Sequence, residues 1–310
     1  MAKILVTPRS LTKGGDPALE FLRKAGHHLV FCTPGKAPDE QELLGLVPGC
    51  AGWLAGVEKI TEAVLARADS LKAISRNGTG VDSIDLAACE RRGIAVLRAE
   101  GANARGVAEL TMALMISLLR SVSFGDARMK AGGWERRQGT EIEGRTLGVI
   151  GTGKIGRLVT KLALGMDMRV LGFDAYPDAR YVPSESFHYV SFEELLASSD
   201  VVTLHCPHTP GEKPLMDAAA LARMKKGAVL VNTARGRLVD DAAVLAALQN
   251  GRLGGYGVDA YETEPPAPSA LIAHERVIAT PHVGAFTAES VSRATRVAVD
   301  NLLSALSQAH

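Results

Sequence analysis

The run Leu147-Gly-Val-Ile-Gly151-Thr152-Gly153-Lys154-Ile155-Gly156 limits what this chain can fold into more than any other stretch. A short apolar strand leads into a glycine turn, and a helix is expected from that turn to about Gly165. Gly151 permits the tight strand-to-helix turn, Gly153 lets backbone approach a pyrophosphate, and Gly156 lets the helix lie close to the strand. The helix N-terminus then offers free N–H groups and the positive end of its dipole to phosphates. Asp174 stands 18 residues beyond Gly156, at the end of the next apolar run, Leu171-Gly-Phe-Asp174. A carboxylate there accepts from a ribose 2′-hydroxyl and repels a 2′-phosphate, so NAD is expected over NADP. Arg180 nearby slightly weakens that preference. A plain turn before an ordinary helix would explain the glycines alone. A methyltransferase of similar fold would also use a glycine turn and a strand-end acid.

Around this motif, short β-like runs alternate with longer helical ones, the pattern of βαβ units and parallel sheets. In the first hundred residues strands are expected at Ile4–Thr7, His28–Cys32, Gly52–Ala55, Leu71–Ser75 and Ile94–Leu97, with helices such as Pro17–Ala25, Thr61–Ala66 and Asp85–Arg92 between them. Glu109 to Arg120 is apolar on nearly every side, as in a helix buried between domains or subunits. A second set of strands is expected at Thr146–Ile150, Arg169–Phe173, Val201–Cys206, Ala228–Asn232, Gly255–Asp259 and Val277–Ala279. The last helix, Ala288 to about Leu306, has no strand after it and is free to return to the first domain. The fold class is α/β, with two doubly wound parallel-sheet domains.

Three segments each place a reactive residue just past a strand of the second set, where open α/β sheets receive ligands. They are Asn232-Thr233-Ala234-Arg235-Gly-Arg-Leu-Val-Asp240, Asp259-Ala-Tyr-Glu-Thr-Glu264-Pro265 and Thr280-Pro-His282-Val-Gly284. Arg235 can hold a carboxylate through a bidentate pair and polarise a carbonyl oxygen. His282 can exchange a hydroxyl proton. Glu264 can orient the imidazole and favour its charged form. Each alone has a bland reading: a surface arginine, a loop acid, a satisfied buried histidine. Together, behind a dinucleotide turn, they suit hydride transfer at C2 of a small 2-hydroxy or 2-oxo acid.

These residues resemble the D-isomer-specific 2-hydroxyacid dehydrogenase family, in its short phosphoglycerate-dehydrogenase-like form, over essentially the whole chain. The resemblance implies that Arg235 binds substrate and that Glu264 and His282 form the acid–histidine pair, the acid being the one before the proline. It also implies a cofactor set of Gly151, Thr152, Gly153, Lys154, Ile155, Gly156, Asp174, Pro207, Thr233, Ala234 and Asp259. Asn77-Gly78-Thr79-Gly80 resembles the family's substrate loop, whose N–H groups receive a carboxylate, with Arg235 and His282 also meeting substrate. The fold implied is a Rossmann NAD-binding domain, residues 100–285, and a discontinuous flavodoxin-like substrate domain, residues 1–99 and 286–310. Members are usually homodimers or homotetramers.

The substrate is less constrained. Better-known phosphoglycerate dehydrogenases carry arginines after the third strand to hold a phosphate, whereas Ala55-Gly56-Val57-Glu58-Lys59 has none. Lys59, Arg9, Arg76 and Arg105 are the candidates to replace them. Hydroxypyruvate, glyoxylate and sulfolactate-type acids are the alternatives to 3-phosphoglycerate. A reading of another class is an NAD(H)-sensing binding protein, as in the C-terminal-binding-protein corepressors, although long disordered tails and a basic targeting segment are absent. A net charge of +1 gives no footprint for nucleic acid or an anionic membrane. Cys32, Cys50, Cys89 and Cys206 form no C-x-x-C pair and are expected as free thiols. No metal site, signal peptide or membrane span is expected, which makes the protein cytoplasmic.

Overall fold

The computed structural model describes residues 1–13, 15–209 and 211–308. The last two residues of the expected 286–310 segment therefore lie outside the described residues. The chain divides into two compact units, Met1–Asn103 with Ala288–His310, and Ala104–Thr287. Both are parallel-sheet α/β units, as the alternation predicts.

The first unit contains β1 (Lys3–Val6), α1 (Leu19–Lys24), β2 (His28–Phe31), α2 (Glu40–Leu46), β3 (Cys50–Ala55), α3 (Glu62–Ala66), β4 (Ala73–Arg76), α4 (Leu86–Arg91) and β5 (Ala95–Arg98). The strand order is β2-β1-β3-β4-β5. Side chains alternate between the sheet's two faces. Leu5, Trp53 and Ile74 pack on one face with Leu43, Val64, Leu65 and Ala88. Ile4, Val6 and Leu54 pack on the other, with Leu19, Leu22 and the C-terminal helix, Ala288–Gln308. That helix lies over the sheet through Ala298, Val299, Leu302 and Leu306. Each fully buried Val or Leu stabilises the contact by roughly 1.5–3 kcal/mol. The Ser75 hydroxyl adds a hydrogen bond to the Ala298 carbonyl at 2.7 Å.

The second unit contains α5 (Ala104–Leu119), α6 (Val122–Lys130), β6 (Thr146–Ile150), α7 (Lys154–Leu164), β7 (Arg169–Phe173), β8 (Phe187–Tyr189), α8 (Phe192–Ser198), β9 (Val201–Leu204), α9 (Ala218–Arg223), β10 (Ala228–Asn232), α10 (Asp241–Gln249), β11 (Leu253–Val258) and β12 (Val277–Ala279). Its strands run β12-β11-β10-β9-β6-β7-β8, so the order reverses between β6 and β9. Helices α5 and α7 cover one face through Met112, Met115, Val159 and Ala163. Helices α8 to α10 cover the other through Leu195, Leu221, Val244 and Leu248. Side chains of Ser191, Asp217 and Asp240 cap the N-termini of these last three helices.

Three differences from the sequence reading have physical causes. The six strands expected here become seven, because β8 is a three-residue edge strand with only Phe187 buried, too short for a periodic signal. Helix α6 was not expected: none of its residues is buried, so it carries no apolar stripe. Helix α5 begins at Ala104, five residues before the expected start at Glu109, because small residues there (Ala104, Gly106) give little periodic contrast. No single helix among the described residues is long and apolar enough to cross a membrane.

Candidate active site

At the end of β6, Gly151 adopts φ +91°, which L side chains rarely do, and donates its N–H to the Phe173 carbonyl at 2.8 Å. A Cβ there would stand 2.5 Å from the Cys206 nitrogen and 2.6 Å from the His205 carbonyl carbon. The turn therefore crosses closely over the end of β9, at the point where strand order reverses and ligands are received. Above Gly153 the space is open, and no side chain caps α7. The first-turn N–H groups of this helix have no preceding helical carbonyl to bond and point toward that open space. These features fit a dinucleotide pyrophosphate.

Asp174, directly after β7, accepts from the Thr152 N–H at 2.7 Å, from the Thr152 hydroxyl at 3.1 Å and from the Tyr176 N–H at 3.0 Å. It ties the glycine turn to the neighbouring strand. Arg180, which could have reached a 2′-phosphate, pairs with Asp178 at 3.2 Å and is 93% exposed.

His205 is a residue that sequence reasoning passed over. Both of its ring nitrogens are buried with no hydrogen-bond partner, an arrangement that costs free energy unless a ligand or water completes it. Burial pushes its pKa down to about 3. The unfolded chain therefore takes up a proton near pH 6.5 that the folded chain refuses until about 3. Stability from this group is complete above the unfolded value and falls as pH drops below it. Resistance to urea should fall between about pH 7 and pH 5, and His205→Leu should flatten that slope. Equal slopes for the two proteins would mean that the imidazole protonates in place. Next to it, Cys206 is pushed up to about 11 by burial, with the charge of Asp174 adding to the effect. Pro207 follows on the same loop. All four cysteines are free, as expected.

The Arg235 loop leaves β10 through Asn232, a fully buried amide. Its Nδ2 donates to the Arg235 carbonyl at 2.8 Å and its Oδ1 accepts from the Ala234 N–H at 3.0 Å. The Thr233 hydroxyl meets that of Thr111 at 2.8 Å, and Arg235 Nη1 donates to the Ala234 carbonyl at 2.8 Å. An ion pair between Arg237 and Glu262 at 3.4 Å links this loop to the one bearing Glu264.

Glu264 and His282 meet as the sequence predicts. His282 Nδ1 lies 2.7 Å and 2.9 Å from the two oxygens of Glu264, whose Oε1 also accepts from the Tyr261 N–H at 3.1 Å. A carboxylate only accepts, so Nδ1 donates to it whichever charge the ring carries, and Nε2 is the nitrogen left to take or give a proton. Nε2 has no hydrogen-bond partner among the described residues. The pair is half-exposed, within reach of a ligand.

His282 has φ +52°, a conformation that is costly for a non-glycine residue and persists only where its surroundings hold it. Asp259 supplies the hold. Its oxygens accept from the Thr280 hydroxyl at 2.6 Å and from the Val283 and Gly284 N–H groups at 2.8 Å each. The Tyr261 hydroxyl adds a bond to the Thr280 carbonyl at 2.8 Å. Asp259, expected among the cofactor residues, also shapes the histidine loop.

In the first unit, the Asn77–Gly80 loop follows β4. The Asn77 N–H donates to the Ala55 carbonyl at 2.9 Å and the Gly78 N–H to the Arg76 carbonyl at 2.8 Å. Those two groups are engaged by the fold, leaving Thr79 and Gly80 to offer N–H groups without partners among the described residues. The Asn77 side chain contacts the Thr295 hydroxyl at 3.4 Å. Of the four cations proposed to hold a phosphate, Arg105 pairs with Glu109. Arg76 is partly buried, with Nη1 on the Asn77 carbonyl at 2.9 Å. Arg9 and Lys59 are exposed.

Comparison with known proteins follows the same lines. Residues 112–284 match the family model described as D-isomer specific 2-hydroxyacid dehydrogenase, NAD binding domain. A D-3-phosphoglycerate dehydrogenase of Methanocaldococcus jannaschii is 39% identical over 247 residues, 79% of this chain and 47% of the relative. The chain spans about half the length of the curated relatives it matches. A crystal structure of a Thermus thermophilus protein superposes with TM-score 0.88 at 37% identity, covering 99% of this chain and 97% of that one. The apo-structure of D-lactate dehydrogenase from Escherichia coli gives TM-score 0.83 at 30% identity, covering 100% and 98%.

Proposed function

The chain belongs to the D-isomer-specific 2-hydroxyacid dehydrogenase family, and from that premise we propose that it interconverts a small D-2-hydroxy acid and its 2-oxo acid with NAD. The observation that carries the reading is the Glu264 carboxylate on His282 Nδ1, which leaves Nε2 for a substrate proton. NAD, when bound, supplies the hydride to C2 or takes it away. In reduction, His282 Nε2 gives a proton to the C2 oxygen as the C–O double bond becomes single, and in oxidation Nε2 takes that proton back. Glu264 holds the imidazole in the required orientation. Arg235 binds the carboxylate and polarises the C2 oxygen. Thr79 and Gly80 of the first unit offer N–H groups to a carboxylate, which makes that unit the substrate domain. The second unit is the NAD domain, with Gly151 to Gly156 at the pyrophosphate and Asp174 at the adenosine ribose.

The names of the curated relatives favour 3-phosphoglycerate as substrate, with hydroxypyruvate, glyoxylate and sulfolactate-type acids as the alternatives. The reading carries with it a cytoplasmic homodimer or homotetramer. The four free thiols support the compartment.

The test follows absorbance at 340 nm with NADH or NADPH against 3-phosphohydroxypyruvate, hydroxypyruvate, glyoxylate and 3-sulfopyruvate. We expect oxidation with at least one acid, and a preference for NADH of about tenfold or more, set by Asp174. NADH binding without turnover of any acid would overturn the dehydrogenase reading.

A further inference from the structure

In the first unit the strand order reverses between β1 and β3. In open sheets of this order, such a reversal opens a crevice at the carboxyl ends of the strands where anionic ligands are received. Here the crevice holds a side chain. Glu58, three residues past β3, is 5% exposed and folds back so that Oε1 accepts from the Gly56 N–H at 2.9 Å and from the Thr7 hydroxyl beyond β1. The Thr7 oxygen is itself fixed by the Trp53 indole N–H at 2.9 Å. Gly56 is required for this arrangement, since a Cβ there would lie 2.6 Å from Glu58 Oε2 and 3.0 Å from the Pro8 Cα.

A backbone N–H and a hydroxyl converging at a strand-order reversal are the donors a phosphate uses. In this chain a carboxylate of its own takes them. The other carboxylate oxygen, Oε2, is buried without a partner, and so is Nε of Arg76, the residue opposite Ala55 in the β3–β4 register. Burial pushes the Arg76 guanidinium down, and the charges of Glu58 and Asp82 push it back up. The corner therefore already contains a carboxylate, close enough for its charge to act on the Arg76 guanidinium. A second anion would meet occupied donors and the charge of Glu58.

We infer that Glu58 is a specificity-determining residue, an internal anion that fills the cradle at the β1/β3 reversal and makes the substrate domain select unphosphorylated 2-oxo acids. The inference rests on the dehydrogenase reading for its substrate. The filled cradle itself stands on this unit's own contacts. It runs against the phosphoglycerate candidate that the relatives' names favour.

The test has two arms, applied to the full chain and to the variants Glu58→Ser and Glu58→Gln. Calorimetric titration with inorganic phosphate reads the cradle without turnover. The ratio of KM for 3-phosphohydroxypyruvate to KM for hydroxypyruvate reads selection. The unaltered protein should show no saturable phosphate binding in the millimolar range. Glu58→Ser, which empties the cradle, should gain it and lower the KM ratio by about tenfold. Glu58→Gln, which keeps the shape and removes the charge, should move the ratio the same way by a smaller factor, and it serves if the serine variant does not fold. Tight phosphate binding by the unaltered protein, or folded variants that gain nothing in either arm, would overturn the inference. Gained phosphate binding with no turnover of any acid would leave the cradle standing and remove the dehydrogenase reading instead.

Discussion

Replacing His282 with asparagine should lower kcat/KM for the best 2-oxo acid by about 10²- to 10⁴-fold, the range that a positioned general acid–base group contributes, while NADH binding stays within about twofold. Asparagine is the informative choice because this position has φ +52°. Asparagine tolerates the left-handed region better than most residues. The loop that Asp259 holds through Val283 and Gly284 should therefore survive, and the loss can be read as chemistry. His282→Ala should lose the same activity and also some stability, because alanine at that φ is strained without compensation. Steady-state kinetics with a thermal melt on each variant separates the two effects. Retention of more than about a tenth of the activity by the asparagine variant would place proton transfer on another group.

Gly151→Ala should cost about 2–3 kcal/mol of folding stability and weaken NADH binding by at least about tenfold. Two penalties coincide at this residue. Its φ of +91° is unfavourable for alanine, and the new methyl would lie 2.5 Å from the Cys206 nitrogen and 2.6 Å from the His205 carbonyl carbon. Both obstacles are backbone, directly after the end of β9, so neither can swing aside as a flexible side chain would. Relief requires the turn itself to lift, and that displaces the N–H groups at the start of α7. Urea unfolding and NADH fluorescence titration measure the two losses. Unchanged NADH affinity in a folded variant would detach the glycine turn from the cofactor.

Much of this architecture is legible in residue order because its causes are local. Apolar runs of four to six residues bounded by turns identify most strands of both sheets, and small residues at Gly151 and Gly156 betray close backbone approach. Where local contrast is weak the signal fails, as at β8 and along α6. The acid and histidine of the site are legible for another reason. Each follows a strand whose carboxyl end meets the others in a parallel sheet, so topology alone brings Glu264 and His282 together.

Other roles depend on atoms that meet across long sequence separations. Asp259 is one strand-end acid among several until a loop 21 to 25 residues onward donates to it. His205 has nothing unusual in its neighbours along the chain, and only packing leaves both its nitrogens without partners. Glu58 is one loop acid among many until Thr7, 51 positions earlier, donates to it. Residue order is therefore enough for the two parallel-sheet units, the dinucleotide turn and the acid–histidine pair, because strand periodicity and strand-end position are properties of short segments. Packing in three dimensions sets which N–H groups remain free, which carboxylates are already engaged and what fills the crevice of the first sheet. Hydrogen-bond donors and acceptors are consumed pairwise in space, and that pairing is invisible until the strands are side by side.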